Sequence, residues 1–196
     1  MIILYILNHN IYSNTNHIGT SNKKLFWTIG TYYKLKGELF MSDTVIIAPH
    51  ADDELIGCYK ILADEDVRPV IIYTEEMSKE RQEEVKGIRE HFTIKGQMFC
   101  RSIPPQFLNP TTTFYFPGPD ELHPAHRAQA AVGEALARQG LNVIFYTTNM
   151  NVPYIREEKD PEKKKSFLNL IYQSQSDLWK YDHKYFLFCG FCKYIF

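Results

Sequence analysis

The sequence has little of three things that would place it in a specialised class: charge of one sign, cysteine and long apolar runs. Its 22 basic and 23 acidic residues leave a net charge of -1, so nucleic acid or an anionic membrane is not an expected partner. Four cysteines are too few for a disulfide framework and suit a reducing cytoplasm. No run is long enough for an integral membrane segment. The 44% hydrophobic and 23% charged residues that remain are typical of a globular protein, which we expect to be cytoplasmic.

Residues 1–40 differ in composition from the rest of the chain. Isoleucine, asparagine, tyrosine, lysine and phenylalanine make up roughly half of them, and neither a helical nor a strand period is sustained. The segment also lacks the basic start and small-residue cleavage site of a signal peptide. We expect residues 1–40 to be a non-native or poorly packed extension before a native start at Met41, and residues 41–196 to form a single catalytic domain.

From Met41 onward, short apolar runs alternate with amphipathic segments. Strands are expected at 45–48, 67–74, within 96–103, at 111–116 and at 142–148. Helices are expected at 55–63, 78–92 and 127–140, and another should begin at Asp160. Strands alternating with helices favour parallel pairing, because each crossover packs a helix on the sheet. The pattern predicts an α/β, Rossmann-like three-layer fold with a largely parallel sheet covered by helices on both faces.

The stretch TVIIAPHADDELIGC, Thr44 to Cys58, places an acidic turn directly after the first expected strand. Ligands bind at the carboxyl edge of an open α/β sheet, and this turn lies at that edge. His50 and Asp53 are three residues apart across a strand-to-helix turn and can converge on one metal ion. Asp52, projecting beside them, can take a proton from water bound to that ion.

A second motif, HPAHR, supplies further histidines. His123 and His126 are three residues apart just ahead of an expected helix and also follow an expected strand. They should therefore return to the same edge of the sheet. One of these histidines can bind metal while the other donates to a developing oxyanion.

The segments APHADDE and HPAHRA together resemble the motifs of the PIG-L/LmbE-like zinc deacetylases. The likeness covers roughly residues 43–185, with weaker support from RQEEVKGI and YQSQ. The resemblance implies a zinc-dependent N-deacetylase that holds one Zn²⁺ per chain. Its substrate would be a small-molecule N-acetylglucosamine-type amino sugar or its glycoconjugate.

The resemblance also implies a role for each site residue. His50, Asp53 and His126 would be the zinc ligands, and Asp52 the general base that accepts a proton from zinc-activated water. His123 would stabilise the oxyanion, and Arg81 would contact the substrate. Cleavage of the amide would give acetate and a free amino sugar.

Two positions depart from the family pattern. Ala51 replaces the usual proline, which should change the stiffness of the turn and little else. Ala125 replaces the usual aspartate between the paired histidines, so His123 should be less well tuned. We expect slower chemistry, or another carboxylate such as Asp120 or Glu121 in that role.

Three other interpretations of the sequence lead to different functions. A non-haem iron oxygenase also uses two histidines and one carboxylate, although such sites commonly lie on all-β barrels. A catalytically weak sugar-binding module on the same fold would fit Ala125, although a binder has no need of Asp52. The pair Cys189 and Cys192 in CGFC could indicate thiol redox chemistry, but its place in a terminal aromatic run favours a buried edge strand or closing segment.

Overall fold

Seven strands are present in the computed structural model, which describes residues 44–148, 155–180 and 188–192. The strands are β1 (Thr44–Ala48), β2 (Val70–Tyr73), β3 (Gly96–Phe99), β4 (Thr113–Pro117), β5 (Asn142–Tyr146), β6 (Ile155–Glu157) and β7 (Phe188–Cys192). The helices are α1 (Asp53–Leu62), α2 (Lys79–Glu84), α3 (Ile88–His91), α4 (Pro124–Arg138), α5 (Pro161–Ile171) and α6 (Ser176–Lys180). Single 3₁₀ turns lie at Val85–Gly87, Pro105–Phe107 and Gln173–Gln175.

The first five strands form a parallel sheet in the order β3-β2-β1-β4-β5. From β1, inside the sheet, the strands therefore proceed outward to β3, and β4 then lies on the other side of β1. At the far side, β7 pairs antiparallel with β5 and also with β6. The expected largely parallel sheet is confirmed.

Side chains on opposite faces of the sheet belong to two separate apolar clusters. On β1, Ile46 and Ala48 pack in one cluster with residues of α1 and α5, while Val45 and Ile47 pack in the other with residues of α4. Alternate residues of a strand point to opposite faces, so both faces of this strand are buried. Helices therefore cover the sheet on both sides, and the predicted α/β fold is confirmed.

Two predicted helices are broken in the structure. The segment 78–92 begins as expected, with Ser78 accepting a hydrogen bond from the Arg81 amide, but a 3₁₀ turn separates α2 from α3. The apolar side chains Val85, Ile88 and Phe92 of this segment are nevertheless buried in the core. After Asp160, whose side chain caps α5, the helix stops at Ile171 and resumes as α6 after another 3₁₀ turn.

The terminal CGFC run forms most of β7, which confirms a strand there. The expectation of an edge position is wrong, because β7 has β5 on one side and β6 on the other. Within the described residues, no helix has the length and apolar character needed to span a membrane. All described residues belong to one compact unit, Leu39–Phe196. The expectations for residues 1–40 fall outside the part of the chain that the structure describes.

Candidate metal centre

The two histidine motifs meet at the carboxyl edge of the sheet. β1 and β4 are neighbouring parallel strands, paired at Val45 and Phe114, so both end on the same side. The acidic turn follows β1 directly, and the loop that carries His123 and His126 follows β4. The fold thus brings together two segments that are far apart in sequence, at the edge where ligands bind in such sheets.

The acidic turn has an unusual backbone at Asp52, whose φ of 102° lies in the left-handed region. A non-glycine residue held there is strained by about 1–3 kcal/mol, and such residues often occur at functional sites. The side chain of Asp52 makes no capping hydrogen bond to α1. Asp53 turns back toward the preceding residues and accepts a hydrogen bond of 2.7 Å from the His50 amide. Neither aspartate is therefore a simple helix cap.

Three side-chain atoms from the two motifs form a nearly equilateral triangle. His50 Nδ1 lies 3.2 Å from Asp53 Oδ2, His126 Nε2 lies 3.1 Å from the same oxygen, and the two nitrogens are 3.1 Å apart. His126 and Asp53 are each 4% exposed, whereas His50 is half-buried. All three predicted ligands are therefore brought together.

The spacing of this triangle suits a metal ion. Ligands bound to zinc at about 2.0–2.2 Å with tetrahedral angles are separated by about 3.3–3.6 Å. The observed distances of 3.1–3.2 Å lie just below that range. Two imidazole nitrogens and one carboxylate oxygen are also a donor set typical of catalytic zinc. The chain's own residues therefore fit the expected ion.

The third histidine lies beside the triangle. His50, His123 and His126 could also hold a metal ion, since each offers a ring nitrogen and these atoms lie within 4.8 Å of one another. The His123 ring meets that of His50 edge-on, with centroids 4.5 Å apart. Its Nδ1 atom accepts a hydrogen bond from the Ala125 amide at the start of α4. Neutral His123 therefore carries its proton on Nε2.

The neighbouring carboxyl groups Asp52 and Asp53 have pKa values that move in opposite directions. Burial, reinforced by the charge of Asp53, raises the pKa of Asp52 well above its usual range. Burial also opposes ionisation of Asp53, but hydrogen bonds from His126 and His50 outweigh it and lower the pKa of that carboxyl. Two adjacent acids with separated pKa values can do different work, one as a permanent anion and the other as a proton acceptor.

A buried carboxylate contacts the far side of the His126 ring. Glu121 is 4% exposed, and its Oε2 atom lies 3.3 Å from His126 Nδ1. Thr147 Oγ1 donates to Oε1 over 2.8 Å, and the Thr148 amide donates to the same oxygen. Burial lowers the pKa of His126 on its own, but the hydrogen bonds to Asp53 and Glu121 raise that pKa to about 10.

Arg81 reaches the acidic turn from α2. Its Nη2 atom donates to the carbonyl oxygen of Ala51 and lies 3.5 Å from Asp52 Oδ2. The same carbonyl accepts a 3.0 Å hydrogen bond from Gln175, in the YQSQ segment. Arg81 thus contacts the turn itself, and a substrate contact remains a prediction.

The remaining acid of the motif, Glu54, is wholly buried beneath the turn. It accepts hydrogen bonds from the Asp52 amide and from the Tyr172 hydroxyl group. Ser174 donates to Glu84 through both its amide and its hydroxyl, each over 2.7 Å. The RQEE and YQSQ segments are therefore joined to each other and to the acidic turn.

Several of these partners were not predicted as site residues. The sequence indicates Glu121 only as a substitute carboxylate near His123, whereas the structure places it against His126. Thr147 and Thr148 are not among the predicted site residues, although polar residues directly after β5 lie at the same carboxyl edge. That position is the signal that could have found them. The contact of Tyr172 with Glu54 depends on the break after α5, and the sequence indicates this residue only as part of the YQSQ segment.

Comparison of the chain with protein-family models, curated proteins and solved structures returned no match. The resemblance to the zinc deacetylases therefore depends on APHADDE and HPAHRA, and the activity that it implies remains a prediction.

Proposed function

We propose that the protein is a zinc-dependent hydrolase that removes the acetyl group from an N-acetylglucosamine-type amino sugar or its conjugate. The observation that carries the proposal is the triangle of His50 Nδ1, Asp53 Oδ2 and His126 Nε2, with sides of 3.1–3.2 Å. These three residues are the ones that the resemblance implies as ligands. The proposal does not depend on His123 as a ligand.

The chemistry divides between the expected ion and the side chains around it. Held by His50, Asp53 and His126, a zinc ion would supply a positive charge able to polarise an amide carbonyl and make water more acidic. Asp52, a buried carboxyl next to the ligand Asp53, accepts the proton from the attacking water. The same proton then passes to the departing nitrogen as the amide C–N bond breaks. Acetate and a free amine leave the site.

His123 supports the reaction from the solvent side. With Nδ1 accepting from the Ala125 amide, the proton on Nε2 is available for donation. A donated hydrogen bond stabilises the negative charge that develops on the former carbonyl oxygen. Partial burial and then the neighbouring imidazoles lower the pKa of His123, which favours this neutral donor form.

A sugar-binding module is the second candidate, and Ala125 is the observation that favours it. A methyl group at this position supplies no carboxylate between His123 and His126. If His123 depended on such a group, the site would bind an acetylated sugar without turning it over at a useful rate. The binding module and the hydrolase therefore differ in turnover and not in ligand.

The proposal is tested by incubating the zinc-loaded full chain with a panel of N-acetylated amino sugars. The panel contains free N-acetylglucosamine, its short oligosaccharides, its alkyl glycosides and its conjugate with inositol. Released acetate and new primary amine are measured together, with Asp52→Asn as the matched inactive variant. Equal amounts of acetate and amine from the parent alone support the hydrolase. Saturable binding without release would support the module.

A further inference from the structure

The buried pair formed by Glu121 and His126 has a consequence for metal binding. His126 Nε2 is one corner of the triangle and lies 3.1 Å from both His50 Nδ1 and Asp53 Oδ2. The opposite ring nitrogen, Nδ1, faces the carboxylate of Glu121 at 3.3 Å. Each nitrogen of the ring thus has a separate environment.

The two groups described beside His126 Nδ1, the Glu121 carboxylate and the Thr148 hydroxyl, can each accept a proton from it. An ionised carboxylate accepts hydrogen bonds and donates none, so Nδ1 must carry the proton that joins it to Glu121. Thr148 Oγ1 lies 3.4 Å from the same nitrogen and donates its own hydrogen to Glu121 Oε2 over 3.0 Å. Its oxygen is therefore left as a second acceptor. With an ion bound in place of the second proton, His126 would keep the proton on Nδ1 and direct the lone pair of Nε2 at the triangle.

Glu121 is itself held in place by the end of β5. Oε1 accepts from the Thr147 hydroxyl at 2.8 Å and from the Thr148 amide, and Oε2 accepts from the Thr148 hydroxyl. These donors directly follow β5, which neighbours β4, and they restrain a carboxylate in the loop between β4 and α4. The carboxylate is thus preorganised before any ion arrives.

We propose that Glu121 is a positioning residue of the metal centre, which fixes the tautomer and the ring orientation of His126. The inference rests on the proposed metal site and deepens it, since Ala125 supplies no carboxylate within the HPAH motif. Carboxylate partners of metal-bound histidines typically contribute 10-fold to 100-fold in metal affinity. Glu121 supplies this partner from outside the histidine motif.

Glu121→Gln is the sharpest variant, because it keeps the shape of the side chain. Its amide NH₂ group must face either His126 Nδ1 or the Thr148 amide, and in both places one donor opposes another. We expect zinc affinity to fall by about 10-fold to 100-fold. Glu83→Gln, an exposed carboxylate paired only with Lys86 in the described contacts, is the matched control for the lost charge.

The experiment measures Zn²⁺ affinity by competition with a chromophoric chelator, using the full chain and both variants. In parallel, ¹⁵N-labelled imidazole spectra of the zinc-loaded protein report whether His126 Nδ1 carries a protected, hydrogen-bonded proton. A loss of affinity in Glu121→Gln alone, together with loss of that proton signal, supports the inference. Affinity within threefold of the parent overturns it while leaving the metal centre intact. A parent that binds no zinc overturns the inference and the proposed function together.

If Glu121→Gln does not fold, Thr147→Val provides the test. This change removes one hydrogen bond to Glu121 Oε1 and keeps both the carboxylate and the volume of the side chain. We expect a loss of zinc affinity of about 2-fold to 10-fold, since a single hydrogen bond contributes about 1 kcal/mol. Unchanged affinity in a folded Thr147→Val protein counts against a role for the restrained carboxylate.

Discussion

His50 Nδ1 and His126 Nε2 lie 3.1 Å apart, although 76 positions separate the two residues in the chain. Two lone pairs at this distance repel each other unless a proton or a metal ion lies between them. Asp53 Oδ2 is 3.2 Å from the first nitrogen and 3.1 Å from the second, so a cation bound by all three is stabilised by a negative charge. The fold brings these atoms together by ending β1 and β4 at the same edge.

Two substitutions distinguish the role of the proposed zinc ligand Asp53 from that of the neighbouring His123. Asp53→Asn removes the anionic ligand, and we expect zinc affinity to fall at least about 10-fold. His123→Asn keeps a side chain that can cap α4 but removes the imidazole, so metal should be retained while deacetylation falls. Chelator competition and acetate release measure the two effects.

Asp64 is exposed, and Asp64→Asn is the control because it should change neither zinc affinity nor acetate release. If His123→Asn lost zinc while Asp53→Asn kept it, the three histidines would be the ligand set instead.

Asp52→Asn tests the general base. The substitution removes the proton acceptor and leaves the triangle atoms untouched, so we expect kcat to fall by about 100-fold to 10,000-fold at unchanged zinc content. Asparagine tolerates a positive φ, and the backbone at 102° should therefore persist. Activity within a few-fold of the parent would remove Asp52 from the mechanism.

Glu54 makes the stability of the chelator-treated protein depend on pH. Burial raises the pKa of Glu54 to about 8, against about 4.3 for an unfolded glutamate. Between these values the folded state holds a proton that the unfolded state has released. The free energy of unfolding therefore falls as the pH rises from about 4.5 to about 8, and this contribution is constant above the folded pKa.

Glu54→Gln mimics the protonated acid. Between pH 5 and pH 8, the free energy of unfolding of this variant should therefore fall by roughly 1–3 kcal/mol less than that of the parent. Urea unfolding of both proteins at several pH values measures the difference. If the free energy of unfolding changed with pH in the same way in the parent and the variant, Glu54 would not titrate in this range.

Gly57 in α1 allows close packing against β5. A Cβ atom at this position would lie 2.2 Å from Tyr146 Cδ2, while the Tyr146 hydroxyl is held by the carbonyl oxygen of Ile47. Overpacking of this kind costs about 1–3 kcal/mol, so Gly57→Ala should lower the free energy of unfolding by at least that amount. An added Cβ at Gly96 has no atom within 4 Å, and Gly96→Ala is the control. Equal free energies of unfolding for Gly57→Ala and Gly96→Ala would contradict the close contact between Gly57 and Tyr146.

Local patterns were enough to predict the sheet and the first half of the site. The continuous apolar run of β1 and the capped start of α5 are properties of neighbouring residues, and both are confirmed. His50 and Asp53 are three residues apart, so their convergence also followed from local geometry.

Features that depend on distant partners were harder to predict. The helix expected after Asp160 breaks at Tyr172, and this break lets Tyr172 reach Glu54 and Gln175 reach the Ala51 carbonyl. The hydroxyl partner of Glu121, Thr147, directly follows the separate strand β5. β6 has only three residues and depends on β7 for its pairing. None of these contacts has a period or spacing that a single sequence displays.

The most direct test of the metal centre is the metal content of the full chain by plasma mass spectrometry, beside His126→Ala. The triangle predicts about one zinc per chain in the parent and much less in the variant, because His126 supplies one of its three ligand atoms. That result would show that APHADDE and HPAHRA contribute ligands to one metal site. A folded parent that holds no metal after incubation with zinc would contradict the central claim.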